Sequence, residues 1–226
     1  MARSKSKGLK NKNLKKIKNI PLLALPGIIA KKSKLITKII ISTDSKKYGK
    51  VAKKNGIDFF FLRKKSLSGS KIADHLVLRD AVIRAEKFYN TQFNLILSMP
   101  PTSPLRSKSD VEKCIKKMRS NKFDSVWTVS KIDLKYHPDK QLQIKKNKLN
   151  YYSSNGKNIH YRQKLKHTYF RNGCAYVIKR DILLNKNKGL LTNKTGYVIV
   201  KNPQVSIDDK FDLAKVRKIF NFSQYK

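Results

Sequence analysis

The chain has 226 residues, 39% of them hydrophobic, which is enough for one packed domain and too much for a disordered chain. Against 14 Asp and Glu stand 53 Lys and Arg, and the net charge of +39 attracts polyanions in a salt-sensitive way. The lysines are spread along the whole chain rather than gathered in a tail, which fits a lysine-rich solvated surface better than a nucleic-acid arm; no apolar run reaches bilayer length, and two cysteines give neither a metal spacing nor a disulfide framework.

Residues 2–13 form a loop of small residues studded with cations, able to bring backbone N–H groups and Lys or Arg heads to several phosphate oxygens at once. A doubly wound sheet usually feeds such a loop from a strand, yet here the loop begins at residue 2. Either the start at Met1 is late, or the sheet lacks a first strand near its centre, which would leave backbone groups unpaired on its neighbours. Residues 36–42 are a β-branched strand ending in Thr43-Asp44-Ser45, an N-cap signal for a helix over 46–55 that stops at Gly56. A second strand follows at 57–62. Ile72, Ala73, Leu76, Val77, Ala81, Val82, Ala85 and Phe88 mark one face of a long helix.

Residues 93–99 are continuous enough for a buried parallel strand. They run into the proline-fenced turn Pro100-Pro101-Thr102-Ser103-Pro104-Leu105-Arg106, at the place where α/β sheets hold ligands. A helix over 109–118 carries Cys114 in an apolar stripe with Val111, Ile115 and Met118, so this thiol reads as a buried small hydrophobe. A strand at 125–129 completes a β-α-β-α order. The fold class is α/β, a doubly wound and mostly parallel sheet, in a single domain over 1–226. Residues 133–170 are polar, Lys-rich and weakly periodic, and read as an inserted, hairpin-like arm suited to a dimer contact. Regular structure returns at 174–178 and 197–200, and a helix runs from 209 to about 221. The basic N-terminus is not followed by a signal-peptide apolar stretch, so a cytoplasmic protein without membrane attachment is expected.

Seven short segments occur in one order. They are Ala2-Arg3 with Ser6-Lys7-Gly8 and Lys12-Asn13; Ser42-Thr43-Asp44-Ser45; Leu62-Arg63; Pro101-Thr102-Ser103-Pro104-Leu105-Arg106; Tyr161-Arg162-Gln163 with Leu165; Arg171-Asn172-Gly173 with Ala175-Tyr176; and Ile207-Asp208-Asp209 with Phe211-Asp212-Leu213. In that order and spacing the chain resembles the acylneuraminate cytidylyltransferase family, the CMP-sialic acid synthetases, nearly end to end. The resemblance implies a nucleotidyltransferase of Rossmann-like fold, dimeric, that joins CTP to a sialic-acid-like 2-keto sugar acid with Mg²⁺ and releases pyrophosphate.

Carried over residue by residue, the resemblance puts Arg3 and Lys12 on the triphosphate with Ser6 and Lys7 beside them, and Asn13 and Arg63 on the ribose and base. It puts Asp208 on Mg²⁺, and Lys140, Arg162, Gln163 and Tyr176 on the sugar acid, whose carboxylate suits the Arg162 fork. Arg3, Lys12 and Asp208 form the catalytic set. Asp209 and Asp212 read instead as first-turn acids of the last helix, and His137 as a turn residue. The chain departs from the family pattern at Ser4-Lys5, Ser70 and Pro100, and at Ser206, which leaves Asp208 as the lone acid of an Asp-x-Asp pair. Three other readings stand beside this one: a cytidylyltransferase for another keto acid such as 3-deoxy-manno-octulosonate, a catalytically impaired homologue, and a nucleic-acid binder that stacks bases on Tyr151-Tyr152 or Tyr169-Phe170.

Overall fold

The computed structural model describes residues 1–222 apart from Lys7, Asn121, His160, Arg162, Lys164 and 186–188. After the N-terminal loop, β1 (Lys16–Ile17) and β2 (Ile20–Pro21) form a hairpin whose turn residues Lys18 and Asn19 take φ 44 and 67. A two-residue hairpin turn needs that left-handed backbone. Helix α1 (Leu25–Lys31) follows with Pro26 in its first turn and buries Leu25, Ile29 and Ala30. Helix α2 (Lys46–Lys54) is capped by Ser45, whose hydroxyl accepts from the Tyr48 N–H at 3.4 Å, and Gly56 turns the chain out at φ 67. Helix α3 (Asp74–Tyr89) buries Val77, Leu78, Ala81, Val82 and Ala85, whereas Leu76 and Phe88 are exposed.

Next come β3 (Leu95–Ser98), α4 (Lys108–Arg119) and β4 (Ser125–Lys131). Helix α4 opens on a reciprocal cap between Ser107 and Asp110, and its Cys114 is fully buried, which pushes the thiol up to about 12 and leaves it inert. The chain continues through β5 (Leu142–Lys145) and β6 (Lys148–Tyr151) to β7 (Tyr169–Lys179), α5 (Arg180–Leu184), β8 (Thr195–Ile199) and α6 (Lys210–Ile219).

The fold is α/β, but its main sheet corrects the expected parallel majority. Its order is β3-β7-β4-β8; β7 runs antiparallel to both β3 and β4, and only β4 and β8 are parallel. The reason is the 133–170 arm. It leaves β4 and returns directly into β7, with Lys131 opposite Tyr169 and the Ile132 N–H bonded to the Thr168 carbonyl at 2.9 Å. A strand that returns beside its predecessor is antiparallel. The expected strands at 36–42 and 57–62 are extended but meet at one isolated parallel bridge, Ile40 with Asp58.

The largest core cluster packs α4 and α6 on the sheet through Val111, Met118, Val126, Val177 and Val216. A second gathers Leu23, Ile41, Tyr48 and Ile57 around α2, and a third joins α3, β7 and α5 through Leu78, Val82, Ile178 and Leu183. No described helix is long and apolar enough to cross a membrane.

The Met1 amine lies among these elements. Burial first, then the neighbouring Arg63 guanidinium, push it down from 8.0 to about 6, with Arg106 adding to the effect and Asp74 opposing it. Between those values the unfolded chain holds the extra proton, so stability rises with pH from about 6 to about 8. The group accounts for a gain of about 2–3 kcal/mol across that window. Urea unfolding at both pH values measures it, and acetylating the amine should flatten the slope.

Candidate active site

The N-terminal loop is tied down at both ends. The Ala2 N–H donates to the Ser42 carbonyl at 2.9 Å, and Ala2 pairs in parallel with Thr43. Asp44 grips the next residue, accepting from the Ser4 N–H at 2.7 Å and the Ser4 hydroxyl at 2.9 Å. The Tyr48 hydroxyl donates to the Ser4 carbonyl, and the Asn13 amide nitrogen to the Arg3 carbonyl at 3.1 Å. Asn13 is therefore a buried brace of the loop, with its Oδ1 buried and unbonded.

The far end of the loop reaches the start of α6. Lys12 Nζ donates to Asp208 Oδ1 at 2.8 Å and to the Ile207 carbonyl at 2.7 Å. Gly8 lies so close that a Cβ there would sit 2.5 Å from the Asp208 carbonyl oxygen. Asp208 and Lys12 are 196 residues apart in sequence and share one ion pair. The Lys12 side chain is 15% exposed and that of Asp208 76%, so a largely sheltered ammonium faces a carboxylate open to solvent. An ammonium has three N–H donors, and two are spent here. Asp209 and Asp212 close a reciprocal cap on α6, as their sequence position implied.

Arg63 is 5% exposed. Its Nε donates to the Ser68 hydroxyl at 3.3 Å and its Nη2 lies 3.9 Å from Asp44. Burial lowers its pKa; Asp44 opposes this and the nearby Arg3 adds to it. Arg3 and Arg63 thus form a cationic corner whose principal acid, Asp44, is already engaged with Ser4. Such a corner favours a bound polyanion. Ser6 is partly buried in the same loop.

The turn after β3 closes the other side. The Ile207 N–H donates to the Thr102 carbonyl at 2.8 Å, so the residue before Asp208 rests on this turn. Arg106 is fully buried and donates to three carbonyls, those of Pro100, Ser103 and Gly173. Gly173 has φ +73, and a Cβ there would lie 2.2 Å from the Ser103 hydroxyl, so only glycine lets the turn sit against β7. Lys12 is therefore linked through Asp208 and Ile207 to the turn that carries Thr102, and Arg106 ties that same turn to Gly173.

Tyr176, three residues further along β7, is partly buried, which raises its pKa, and packs edge-on to Trp127 with centroids 5.1 Å apart. Arg171 lies over the Trp127 ring at 5.7 Å. Lys140 and Gln163 are exposed on the arm, and no described side-chain hydrogen bond brings either to Tyr176. Lys7 and Arg162 lie outside the described residues. His137 is the turn residue expected: 4% exposed, bonded to the Lys166 carbonyl and accepting from the Asp139 N–H.

Sequence reasoning quoted Asp44 and Arg106 within motifs but gave neither a role. The scarcity of acids was the available signal for Asp44, and the absence of a solvated setting inside a proline-fenced turn was that for Arg106. Among the described residues no three His, Cys, Asp or Glu gather into a metal cluster. A Mg²⁺ held mainly by substrate phosphates and water needs only one or two carboxylates. Asp208 fits that requirement, since Lys12 occupies one of its oxygens and no described hydrogen bond reaches the other.

A family model described as cytidylyltransferase matches residues 1–218. The chain is 33% identical over 213 residues to the post-translational flagellin modification protein B of Campylobacter coli. It is 34% identical over 213 residues to the CMP-N,N'-diacetyllegionaminic acid synthase of Campylobacter jejuni. Each alignment covers 93% of this chain and 88% of the relative. Among solved structures, a CMP:2-keto-3-deoxy-manno-octonic acid synthetase complexed with CTP superposes with a TM-score of 0.68, covering 96% of this chain and 95% of that one at 16% identity, which shows a shared fold.

Proposed function

We propose the reaction of this chain from a premise that the match over residues 1–218 establishes: it belongs to the cytidylyltransferase family. The protein transfers CMP from CTP to a sialic-acid-like 2-keto sugar acid. The anomeric hydroxyl oxygen bonds to the α-phosphorus, the bond from that phosphorus to the bridging oxygen breaks, pyrophosphate leaves and the hydroxyl proton passes to solvent. The observation that carries this reading is the Lys12–Asp208 ion pair against Gly8, beside the cationic corner of Arg3 and Arg63.

The chemical difficulty is a crowded, highly charged triphosphate that must accept a nucleophile in line. In this reading the third Lys12 N–H and the Arg3 guanidinium take phosphate oxygens, with Ser6, Lys7 and loop N–H groups assisting. Their charge sits where negative charge grows, which lowers the barrier most when water is excluded. Arg63, fixed by Ser68 and Asp44, presents its remaining donors to the cytosine, and Asn13 braces the loop below the ribose. Asp208 would hold Mg²⁺, which supplies charge neutralisation at the phosphates when bound. Lys140, Arg162, Gln163 and Tyr176 line the sugar-acid side, Arg162 pairing with the carboxylate. A cytoplasmic setting, where CTP is available, belongs to the same reading.

The test is to mix the purified protein with CTP, Mg²⁺ and a panel of nonulosonic acids plus 3-deoxy-manno-octulosonate, and to measure pyrophosphate. Release with a nonulosonic acid supports the assignment. Release with the octulosonate alone moves it to the alternative substrate, and a folded protein that releases none with any acid defeats it. Gly8→Ala should lower the rate by about 100-fold while the fold persists, because the new methyl displaces the loop from the Asp208 backbone by a fraction of an ångström or more.

The reading also includes a homodimer through the arm. Hairpin β5–β6 turns at Lys146 and Asn147, with φ 48 and 59, and pairs Leu142 with Tyr151 and Ile144 with Leu149. These four share one face and remain exposed, Ile144 at 75% and Leu149 at 70%. Ile144→Lys with Leu149→Lys should halve the mass seen by light scattering. An unchanged mass would remove this face from the dimer.

A further inference from the structure

Asp44 stands where its charge would cancel part of the cationic corner. Its side chain is 15% exposed, and its Oδ1 lies 3.9 Å from the Nη2 of Arg63, whose side chain is 4% exposed. That separation is beyond a hydrogen bond, yet opposite charges so close and so sheltered attract strongly. A carboxylate and a guanidinium left to themselves close to about 2.7–2.9 Å, often at two points. In this structure the pair stays open.

Ser4 accounts for the gap. Its N–H donates to Asp44 Oδ1 at 2.7 Å and its hydroxyl to Oδ2 at 2.9 Å, so each carboxylate oxygen has a short bond to the same residue. Ser4 does not follow the carboxylate toward Arg63, because its backbone is fixed on either side. The Ala2 N–H bonds to the Ser42 carbonyl at 2.9 Å, the Asn13 amide nitrogen to the Arg3 carbonyl at 3.1 Å, and the Tyr48 hydroxyl to the Ser4 carbonyl at 3.4 Å. Arg63 is tied back as well. Its Nε donates to the Ser68 hydroxyl at 3.3 Å, which in turn donates to the Lys64 carbonyl at 2.9 Å. None of the described hydrogen bonds takes an Nη group of Arg63.

We propose that the Ser4 hydroxyl is a positioning group that withholds the Asp44 carboxylate from Arg63 and so keeps that guanidinium available to the nucleotide. The inference rests on the cytidylyl transfer proposed above. Asp44 has two opposed effects at the corner. Its bonds to Ser4 shape the loop, whereas its negative charge works against a bound triphosphate. The Ser4 hydroxyl preserves the first effect and limits the second. Ser4 also stands where the chain departs from the family pattern, so the lock is a property of this chain.

Opposed effects give variants of opposite sign. Ser4→Ala releases Oδ2, which then closes on Arg63, and CTP binding should weaken about tenfold. Asp44→Asn keeps an oxygen for the Ser4 N–H but removes the charge. CTP binding should then tighten about threefold, and the gain should shrink in high salt. The double variant has no carboxylate to release, so it should bind CTP as Asp44→Asn does. With CTP saturating, kcat for pyrophosphate release should stay within about twofold in all three, because the effect lies in binding.

Calorimetric titration with CTP alone, without a sugar acid, measures the three affinities. If Ser4 and Asp44 only anchor the loop, both single variants weaken binding and the double variant is no better than Ser4→Ala, which would overturn the proposal. A second readout needs no nucleotide. The Arg63 Nε–H signal in NMR, identified by its loss in Arg63→Lys, should exchange with solvent at least about fivefold more slowly in Ser4→Ala and return to the parent rate in the double variant. Unchanged exchange in Ser4→Ala rejects the lock whatever the nucleotide does. A parent protein that binds no CTP, with exchange slowed as expected, would defeat the reaction assignment and leave the withholding of Asp44 established.

Discussion

Lys12→Ala is expected to cut pyrophosphate release by about 10²–10³-fold, the loss typical of one donor aimed at developing negative charge. The side chain is 15% exposed and held at 2.7 and 2.8 Å by the Ile207 carbonyl and Asp208. Its ammonium is therefore fixed before substrate arrives, and the remaining N–H needs no reorganisation to meet a phosphate oxygen. The structural cost is small by comparison. Asp208 is 76% exposed, so the ion pair is screened, and its loss lowers stability by at most about 1 kcal/mol. Single-turnover kinetics with CTP in excess separates the two effects, since a merely structural lysine would leave the rate near that of the parent. Asp208→Ala should behave differently, abolishing Mg²⁺-dependent turnover while CTP binding partly survives through Arg3 and Lys12. Unchanged Mg²⁺ dependence would remove Asp208 from the metal site.

Arg106→Leu is expected to destabilise the protein by about 3–5 kcal/mol, with each carbonyl it leaves buried and unbonded costing about 1–3 kcal/mol. The guanidinium is fully buried and gathers the carbonyls of Pro100, Ser103 and Gly173, so one planar fork staples the turn after β3 onto β7. Leucine matches part of the volume but offers no donor. Lysine keeps the charge but cannot span three carbonyls in one plane, so Arg106→Lys should fall between the two. In a domain of this size the leucine variant should melt about 10 °C lower. Urea unfolding gives the free energy directly, and a shift under 1 kcal/mol would show that the turn is held by something else. Because the same turn carries the Thr102 carbonyl that supports Ile207, the variant should also lose activity beyond its loss of stability.

Helices were the most legible feature of the chain. The expected spans at 46–55, 109–118 and 209–221 match α2, α4 and α6 to within a few residues, because caps and a 3.6-residue apolar stripe are local properties. The first turn of α6 was legible for the same reason, with Asp209 and Asp212 capping it. The stretch containing β1, β2 and α1 gave no comparable signal. Its hairpin turn uses Lys18 and Asn19 at positive φ rather than glycine, and α1 is too short for a stripe to stand out. Strand direction was the main miss. An apolar run such as 93–99 reads the same in either direction, and only the return of the arm beside β4 makes β7 antiparallel.

By itself, then, the sequence determined the α/β class, the family, the loop rich in cations and the scarcity of acids, since these reside in residue identity, order and short-range periodicity. Tertiary structure alone decided that Lys12 and Asp208, 196 residues apart, share an ion pair, that Asp44 anchors Ser4, and that Arg106 serves three carbonyls rather than solvent. Those pairings depend on which backbone ends the sheet and helices bring within about 3 Å, the reach of a hydrogen bond, and no local pattern encodes a distance across the fold.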